Sequence, residues 1–390
     1  MRVMIISTDY GPFLRMLYNP GRSFWDRLFG RKSSLQNASY AAQMDARTAT
    51  LFAGSDFYSG NFKAQGHEAA EFHVNNGALQ SAWLRERGQQ VGARLAIASP
   101  LRSPIEPSNI DLEEIIVRQA REMAPDVILN QAVSEVESRV LERLKPYCKL
   151  IVGQIASPYP ENEPYTAYDL MISSLPNFVA YYRKRGLAAE PNLLGFEPRV
   201  LEEVKVGERD VPLSFVGSIT SDHGTRYELI DRLVRETDIR IWGRLVSVSS
   251  RSPIMQRYQG EAWGRDMFRV LGRSKITINQ HIDIAENYAN NMRLFEATGM
   301  GALLITDWKD NIADLFEPGK EVVCYKSVDE CLELIDYYSC HEAERAAIAA
   351  AGLRRTLQHH SYAQVVADQV RIFESYLARK HAGERTGEET

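Results

Sequence analysis

Three polar side chains, those of Asn291, Arg293 and Glu296, stand at the start of a predicted helix in the stretch NNMRLFEATGMGALLITDWKDNIADLFEPGK, residues 290–320. A helix start presents free backbone N–H groups and a partial positive charge, which suit a phosphate. The Arg293 guanidinium adds donors for phosphate oxygens, and the Glu296 carboxylate is able to accept hydrogen bonds from two adjacent sugar hydroxyls. The spacing is equally compatible with Glu296 capping its own helix and Arg293 forming a surface ion pair.

The elements around these residues are typical of a parallel β-sheet unit. The predicted helix closes at a turn with two glycines, of which Gly299 is included among the candidate ligand contacts. An apolar strand follows over residues 302–305 and ends in Thr306 and Asp307, before a new helix. Strand and helix alternate in the same way through most of the chain, which predicts an α/β fold with doubly wound parallel sheets.

Further candidates follow predicted strands at their carboxyl ends, the edge where open parallel sheets bind ligands. Gly217 and Ser218 open the loop after the strand 213–216, and Arg226 begins the next helix. Small residues let a pyrophosphate approach the backbone closely, although such turns are common in α/β proteins. At least one of Asn279 and His281 is expected to contact a ligand, with a polar strand exit that binds nothing as the alternative. The other strand-exit candidate is Arg244.

The first half of the chain offers two candidates for acid/base chemistry. Asp9 follows the apolar strand 2–7 and is able to act as a base, although a polar residue after a strand is more often a turn former. His67 and His73 are each able to serve the same site, but a lone histidine is more often structural. The first half therefore yields Asp9 and His67 as candidate catalytic residues.

Length, composition and net charge limit the classes of protein to which this chain can belong. A chain of 390 residues fits two domains, and a net charge of −5 argues against a general nucleic-acid binder. The four cysteines lack metal-ligand spacing, and no metal site is predicted. The N-terminus enters a strand directly and no apolar run is long enough to span a bilayer, which predicts a cytoplasmic protein. Basic and aromatic residues interleave over 20–32, which predicts either peripheral contact with the inner face of a membrane or a loop.

The runs RLFEATGMGALLITD and DLFEPGKEVVCY resemble the C-terminal half of GT-B glycosyltransferases, specifically the CgeB-like, spore-maturation-related branch with a group 1-like C-terminal domain. The resemblance extends from about Pro212 to the end of the chain. It implies two Rossmann-like domains facing across a cleft. These would be an acceptor-binding domain (1–200), a nucleotide-sugar-binding domain (211–360), a helix that returns to the first domain (361–380) and a disordered tail (381–390).

The same resemblance implies transfer of a sugar from a nucleotide sugar to a glycan, lipid-linked or protein acceptor in bacterial surface-polysaccharide or glycoconjugate assembly. UDP is the expected nucleotide because it is frequent in the fold, and no metal is expected. In this family Glu296 would hold the ribose, and the loop at Gly217 would contact the phosphates. Arg226 and Arg293 would then neutralise the departing diphosphate.

One departure from the family pattern leaves the stereochemistry open. Related retaining enzymes have two glutamates separated by seven residues, and Tyr288 stands in the first of these positions, with Glu286 two residues earlier. An inverting enzyme would need a base, for which Asp9 and His67 are the candidates. A sugar-nucleotide epimerase on the same fold and a degenerate binding or scaffold subunit remain as alternatives.

Overall fold

The computed structural model describes residues 1–18, 34–52, 54–88, 109–158, 163–220 and 224–388. The chain divides into two compact units. Unit 1 comprises Met1–Ser173, Tyr182–Glu190 and the chain from Val366 onward, and unit 2 comprises Ser174–Tyr181 and Pro191–Val365. The predicted membrane-contacting segment, 20–32, lies outside the described residues.

Unit 1 is built on a six-stranded sheet in the order β2-β1-β3-β4-β5-β6. The pairings among β1 to β5 are parallel. Its central strands are apolar and fully buried, as expected for a sheet covered by helices on both faces. The strands are β1 (Arg2–Ser7), β2 (Glu68–His73), β3 (Val127–Asn130), β4 (Leu150–Gln154), β5 (Leu170–Ser173) and β6 (Ala189–Pro191).

Unit 2 is built on a five-stranded sheet in the order β13-β12-β11-β7-β9, and all four pairings are parallel. The strands β8 and β10 form a separate two-stranded parallel sheet. The strands are β7 (Val211–Val216), β8 (Ile219–Thr220), β9 (Arg240–Trp242), β10 (Leu245–Val246), β11 (Ser274–Asn279), β12 (Leu303–Asp307) and β13 (Val323–Tyr325).

Helices connect the strands of both units. They are α1 (Gly11–Tyr18), α2 (Tyr40–Thr48), α3 (Phe57–Ala64), α4 (Gly77–Glu86), α5 (Asn109–Met123), α6 (Ser138–Leu144), α7 (Pro176–Lys184), α8 (Arg199–Glu203), α9 (Gly224–Glu236), α10 (Ile254–Arg257), α11 (Arg265–Arg273), α12 (Met292–Gly299), α13 (Ile312–Leu315), α14 (Val328–Cys340), α15 (Glu342–His359) and α16 (Tyr362–Glu388). Short 3-10 helices cover Leu35–Asn37, Lys145–Tyr147 and Asp283–Ala285.

The core of unit 2 fixes the position of its strand ends. β7, β11 and β12 bring apolar side chains such as Phe215, Ile278 and Ile305 into one cluster with helices α9, α14 and α15. Each of these three side chains is at most 3% exposed. Because the cluster holds the strands from one face along their length, the residues just beyond the strand ends are held in fixed positions.

The C-terminal helix differs from the prediction. α16 continues to Glu388, so it includes most of residues 381–390, which were predicted as a disordered tail. Once a helix is nucleated, each added residue gains a hydrogen bond at little cost, so a polar segment is able to extend it. Within the described ranges, no helix combines the length and the apolar character needed to cross a bilayer.

Candidate functional site

The predicted strand-exit residues of unit 2 lie together at the carboxyl edge of its sheet. Asn279 at the end of β11 pairs in register with Thr306, and Asp307 at the end of β12 pairs with Tyr325. Parallel strands end at the same edge, so their exit loops share one surface. We define the unit 2 edge as residues 217–219, 226, 279–281, 291–296 and 306–307.

Asn291 and Asn279 form the framework of the unit 2 edge. Asn291 is the N-cap of α12, and its Oδ1 accepts from Leu294 N at 3.1 Å. Its Nδ2 donates to Asn279 Oδ1 at 3.1 Å, and Asn279 Nδ2 donates to Thr306 Oγ1 at 3.0 Å. Both predicted contacts therefore have their side chains engaged in positioning the helix start, while the first N–H groups of α12 remain without intrahelical partners.

His281 is held by a residue that the sequence analysis did not select. Asp307 Oδ1 accepts from both His281 N at 3.0 Å and His281 Nδ1 at 2.7 Å. Burial acts to raise the pKa of Asp307, but its hydrogen bonds and charge interaction with His281, together with the charge of Lys309, outweigh this effect, and the pKa is lowered. Asp307 is therefore ionised at neutral pH and orients the buried imidazole ring.

Arg226 joins two exit loops of the unit 2 sheet. Its Nη2 donates to Gln280 O at 2.7 Å and its Nη1 donates to Ser218 O at 3.2 Å. Burial lowers the pKa of Arg226, although its charge is also favoured by Asp307. The guanidinium is thus fixed between the ends of β7 and β11, where the sequence analysis placed a partner for phosphate.

The loop after β7 depends on a close approach of two glycines. Gly243 has φ of +131°, and a Cβ there would lie 2.1 Å from Gly217 O. Gly217 N donates to Trp242 O at 2.9 Å. Contact of Gly217 with a phosphate stays a prediction, and this hydrogen bond weighs against it, because the N–H of Gly217 is already used within the sheet.

Arg293 and Glu296 form a mostly buried pair on α12. Arg293 Nη1 lies 2.9 Å from Glu296 Oε2, and the two side chains are 15% and 9% exposed. The Nη1 group is not aligned for a hydrogen bond despite this distance. Burial raises the pKa of Glu296, and the charge of Arg293 opposes this shift only in part. The alternative interpretation of the spacing is wrong on both points, because Asn291 is the N-cap of α12 and the Arg293–Glu296 pair is not at the surface. Contact of these two side chains with a ligand stays a prediction.

Several buried nitrogen atoms of the unit 2 edge lack a hydrogen-bond partner among the described residues. They are Arg226 Nε, His281 Nε2, Arg293 Nε and Arg293 Nη1. Buried polar atoms are paired in most folded proteins, so each exception calls for an explanation. The three guanidinium N–H groups among these atoms match an anionic ligand that supplies the missing acceptors.

Three other candidates differ in their surroundings. Ser218 and Arg244 are exposed, and the Arg244 carbonyl accepts from Ile219 N at 2.9 Å. Gly299 is buried at the far end of α12, where a Cβ would lie 2.4 Å from the Phe196 ring. Contact of Gly299 with a ligand stays a prediction, and this position weighs against it, because the absence of a side chain there serves packing against Phe196.

The position of the missing first glutamate carries no acidic substitute. Tyr288 is half-buried in the loop before α12, and Glu286 is exposed with φ of +50°. The carbonyl of Glu286 accepts from Lys309 Nζ at 2.7 Å. Glu286 thus supports the loop through its backbone.

Asp9 lies in unit 1 within a closed network. Its carboxylate accepts from Arg47 Nε and Nη2 at 2.9 and 2.7 Å, and from Asn76 Nδ2 at 3.2 Å. The side chain is 0% exposed. Burial acts to raise the pKa of Asp9, but the charges of His73 and Arg47 outweigh this effect, and the pKa is lowered. The role of Asp9 as a base stays a prediction, and this environment weighs against it.

His67 lies at the opposite edge of the unit 1 sheet from Asp9. It precedes β2, and its Nδ1 lies 3.2 Å from the N-terminal nitrogen of Met1. β1 and β2 are parallel, with Arg2 beside Glu68 and Ser7 beside His73. The role of His67 as a candidate base stays a prediction, and its position weighs against it, because the length of the strand separates His67 from the carboxyl edge of the sheet. His73 is the histidine that accompanies Asp9, with its Nδ1 3.5 Å from Asp9 Oδ1.

A known protein family matches the part of the chain that contains most of the unit 2 edge. Residues 226–371 match the family model described as glycosyl transferase-like. The matched segment begins at Arg226 and includes His281, α12 and Asp307. No protein of curated function matches the sequence.

The fold comparison extends over both units. Similar solved structures include a glycosyltransferase from Rickettsia africae (TM-score 0.56, 10% identity, covering 96% of this chain and 98% of that one). Anabaena Alr3699/HepE in complex with UDP-glucose is also similar (TM-score 0.57, 11% identity, 96% and 100%). So is sucrose-phosphate synthase from Thermosynechococcus elongatus (TM-score 0.55, 11% identity, 97% and 100%). These likenesses establish the GT-B fold of two parallel-sheet α/β domains that was predicted.

Proposed function

We propose that this protein is a glycosyltransferase that uses a nucleoside-diphosphate sugar as donor, with UDP as the nucleotide. The observation that carries the proposal is a set of buried nitrogens at the unit 2 edge, on Arg226, His281 and Arg293, that have no hydrogen-bond partner among the described residues. The glycosyl transferase-like family match over 226–371 supports it, as does the UDP-glucose complex of the structurally similar HepE.

The proposed donor pose follows from the chemistry of the edge. The diphosphate would lie at the start of α12, where free backbone N–H groups and the helix dipole favour an anion. Arg226 and Arg293 would supply charged hydrogen bonds to its oxygens. Glu296, whose carboxylate is paired with Arg293, would accept hydrogen bonds from the ribose hydroxyls.

The reaction would break the bond between the anomeric carbon of the sugar and the diphosphate oxygen. The leaving diphosphate gains negative charge as this bond breaks, while an acceptor hydroxyl forms the new glycosidic bond and loses its proton. Preorganised cationic donors stabilise such developing charge without reorganising. The acceptor would be a glycan, a lipid-linked sugar or a protein, in bacterial surface-polysaccharide or glycoconjugate assembly.

A resident metal ion has no part in this proposal. Among the residues that the structure describes, no group of three or more His, Cys, Asp or Glu side chains is arranged to hold one. Assays with magnesium and with a chelator test this point, since equal rates in the two conditions are expected. A rate that falls with the chelator and returns with magnesium would contradict it.

The first experiment is a thermal-shift panel of nucleoside diphosphates and nucleotide sugars against the purified chain. A ligand at a hundredfold its dissociation constant stabilises a protein by about 2.7 kcal/mol, which is a visible shift. A shift with uridine nucleotides is expected. If no nucleotide shifts the melting temperature, the donor site and the proposed function are both rejected.

Turnover then separates the proposal from its alternatives. Release of the nucleoside diphosphate that requires an acceptor is the expected result. Epimerisation of the donor without any acceptor would support an epimerase instead. Binding of a donor without turnover, over a broad panel of acceptors, would support a scaffold subunit.

A further inference from the structure

Two segments of unit 2 are joined by the side-chain amides of two asparagines. Asn290 Nδ2 donates to Ser174 O at 3.0 Å, and Asn177 Nδ2 donates to Ile284 O at 3.1 Å. Ser174 and Asn177 lie at the start of α7, in the segment Ser174–Tyr181 that belongs to unit 2. Ile284 and Asn290 lie in the stretch of chain that leads from β11 to α12. We define the α7 junction as residues 174–177, 284 and 290.

Three oxygen atoms of the α7 junction have no hydrogen-bond partner among the described residues. They are Ser174 Oγ, Asn177 Oδ1 and Asn290 Oδ1. Ser174 is 7% exposed and Asn290 is 5% exposed. The orientation of both amides is determined, because a backbone carbonyl only accepts and each amide must present its nitrogen to that carbonyl. Buried polar atoms are seldom left unpaired, so these three oxygens need an explanation.

The backbone of the α7 junction is also held from the side of β12 and α13. Asn311 Oδ1 accepts from Ala289 N at 2.6 Å, and Asn311 Nδ2 donates to Ala289 O at 2.9 Å. Asp310 N donates to Asn287 O at 3.0 Å. Because these bonds fix the backbone directly before Asn290, its side chain is held in position without a ligand, as a preorganised site requires.

The unpaired atoms of the α7 junction are chemically complementary to those of the unit 2 edge. The edge has unpaired guanidinium N–H groups on Arg226 and Arg293, which match an anion. The junction has unpaired acceptor oxygens, which match a ligand that donates hydrogen bonds. A nucleotide sugar carries both kinds of group in covalent succession, because its diphosphate supplies acceptors and the attached sugar supplies hydroxyl donors.

We infer that the α7 junction binds hydroxyl groups of the donor's sugar, through Ser174 Oγ and the amide oxygens of Asn177 and Asn290. This inference rests on the proposed function, which places the diphosphate at the start of α12. Asn290 directly precedes Asn291, the N-cap of that helix, so the junction lies next to the proposed diphosphate position. The sugar therefore extends from the diphosphate toward α7.

The chemistry of the three atoms limits which sugars fit. Amide oxygens only accept, so they match O–H groups and would repel a carboxylate in the same place. The Ser174 hydroxyl both donates and accepts, which suits a second hydroxyl. The junction is thus expected to select a sugar whose hydroxyls at the contacted positions are present over a deoxy sugar that lacks them.

The test is calorimetric titration of UDP, UDP-glucose, UDP-galactose and UDP-N-acetylglucosamine into the wild type, Ser174→Ala and the control Ser339→Ala. For the nucleotide sugar that binds best, Ser174→Ala should weaken binding about 3- to 10-fold, the range for one lost hydrogen bond between neutral groups. UDP affinity should change less than about twofold, because UDP has no sugar beyond its diphosphate. Ser339 is exposed on α14, and Ser339→Ala should bind every ligand as the wild type does.

A second variant and deoxy analogues extend the test. Asn177→Leu should weaken the nucleotide sugar more than Ser174→Ala does, because it removes an acceptor and also the bond to Ile284 O. The analogue that lacks the hydroxyl bound by Ser174 should bind the wild type about 3- to 10-fold more weakly than the parent sugar. It should bind Ser174→Ala with little further loss, since non-additivity marks a direct contact.

Melting curves without ligand separate sugar recognition from a structural role. Ser174→Ala should melt at or above the wild-type temperature, because a buried hydroxyl without a partner opposes folding. A lower melting temperature together with unchanged sugar binding would show that the hydroxyl holds only a buried water, which overturns the inference. If Ser174→Ala does not fold, Ser174→Cys decides in its place, since a thiol has similar volume and is a weak hydrogen-bonding group.

The outcomes separate this inference from the proposed function. A wild type that binds UDP and a UDP-sugar, with the same ratio of affinities in Ser174→Ala and Asn177→Leu, overturns the inference and leaves the donor site standing. Equal losses for UDP and for the nucleotide sugar also overturn it, because the junction would then act through the fold. So does a wild type that binds UDP but none of the three nucleotide sugars. A wild type that binds no nucleotide rejects the proposed function and this inference together.

Discussion

The carboxyl edges of the two sheets are built from similar residues but differ in how their charges are satisfied. In unit 1, Asp9 is paired with Arg47 and Asn76, and Tyr18 donates to Asn76 and Gln43. At the unit 2 edge, by contrast, Arg226, His281 and Arg293 keep buried nitrogens without partners. Buried polar groups whose hydrogen bonds are satisfied stabilise the fold, whereas buried polar groups without partners are available to a ligand.

One side chain in unit 1, that of His73, is an exception to this contrast. His73 Nε2 in unit 1 also lacks a hydrogen bond, but it lies 3.7 Å from Glu71 Oε2, and its Nδ1 contacts Ser7 Oγ at 2.9 Å. A carboxylate is thus already beside the unsatisfied atom in unit 1. At the unit 2 edge, the carboxylate beside His281 is on the Nδ1 side, and Nε2 has none.

Removal of Arg47 should have the largest effect on stability. Arg47→Ala would leave the Asp9 charge buried and unpaired, which costs about 3–5 kcal/mol in comparable buried pairs. Urea denaturation monitored by circular dichroism measures this loss. The control, Arg235→Ala, removes an exposed ion pair with Asp231 and should leave the denaturation curve unchanged. If the two variants are equally stable, the network of unit 1 is not what stabilises its edge.

Substitution of Gly243 should damage the unit 2 edge through its backbone. Gly243→Ala places a Cβ against Gly217 O, whereas Gly260→Ala has a similar positive φ, +106°, with no atom within 4 Å. Gly243→Ala should therefore be about 1–3 kcal/mol less stable than Gly260→Ala, the usual cost of overpacking. The same denaturation experiment compares them. Equal stabilities would show that the approach of Gly243 to Gly217 is not required.

Neutralisation of Glu296 should separate binding from stability. Glu296→Gln should weaken nucleoside binding about 10-fold in calorimetry, because one charged acceptor for the ribose is lost. A carboxyl group whose pKa is raised in the folded state contributes to the stability of the fold at low pH. This contribution is lost as pH rises through the raised pKa. The unliganded variant should therefore still fold at pH 7, with any loss of stability limited to the lost pairing of Arg293 with Glu296. A less stable variant with unchanged affinity would assign Glu296 to the fold and remove it from the site.

The smallest effect should be the change, at low pH, in the contribution of Asp9 to the free energy of unfolding. The pKa of Asp9 is lowered in the folded state, so the ionised carboxylate stabilises the fold at pH values above the ordinary aspartate pKa of about 3.9. This stabilisation is lost as pH falls. The difference in unfolding free energy between the wild type and Asp9→Asn should shrink between about pH 5 and about pH 3. Asp231→Asn, at a surface ion pair, is the control. A constant difference would contradict a charged Asp9 in the folded state.

The sequence predicts the elements better than the partners of individual side chains. The parallel strands are confirmed, since the hydrophobic pattern that predicts them is a local feature. Asp307 was visible as a polar residue that ends a strand, but its pairing with His281 depends on the order β12-β11 in the sheet. Likewise, Arg47 reaches Asp9 from 38 residues away, which no local pattern shows.

The site predictions that the structure weighs against have the same origin. His67 and His73 are indistinguishable in sequence, and only the parallel register of β1 and β2 places them at opposite ends of a strand. Gly217 and Gly299 match the composition of a ligand loop, but a glycine also permits close packing of backbone or rings. The type of a residue thus predicted its chemistry, while tertiary contacts decided whether that chemistry was available.

The most direct measurement of the central claim is hydrogen–deuterium exchange of the full chain with and without saturating UDP. If the donor binds at the unit 2 edge, exchange should be slower in residues 217–219, 279–282 and 291–296, where the exit loops and the start of α12 would contact the diphosphate. Exchange around Asp9 and Arg47 should not change. Protection confined to unit 1, or none in unit 2 at a UDP concentration that shifts the melting temperature, would contradict the assignment of the donor site.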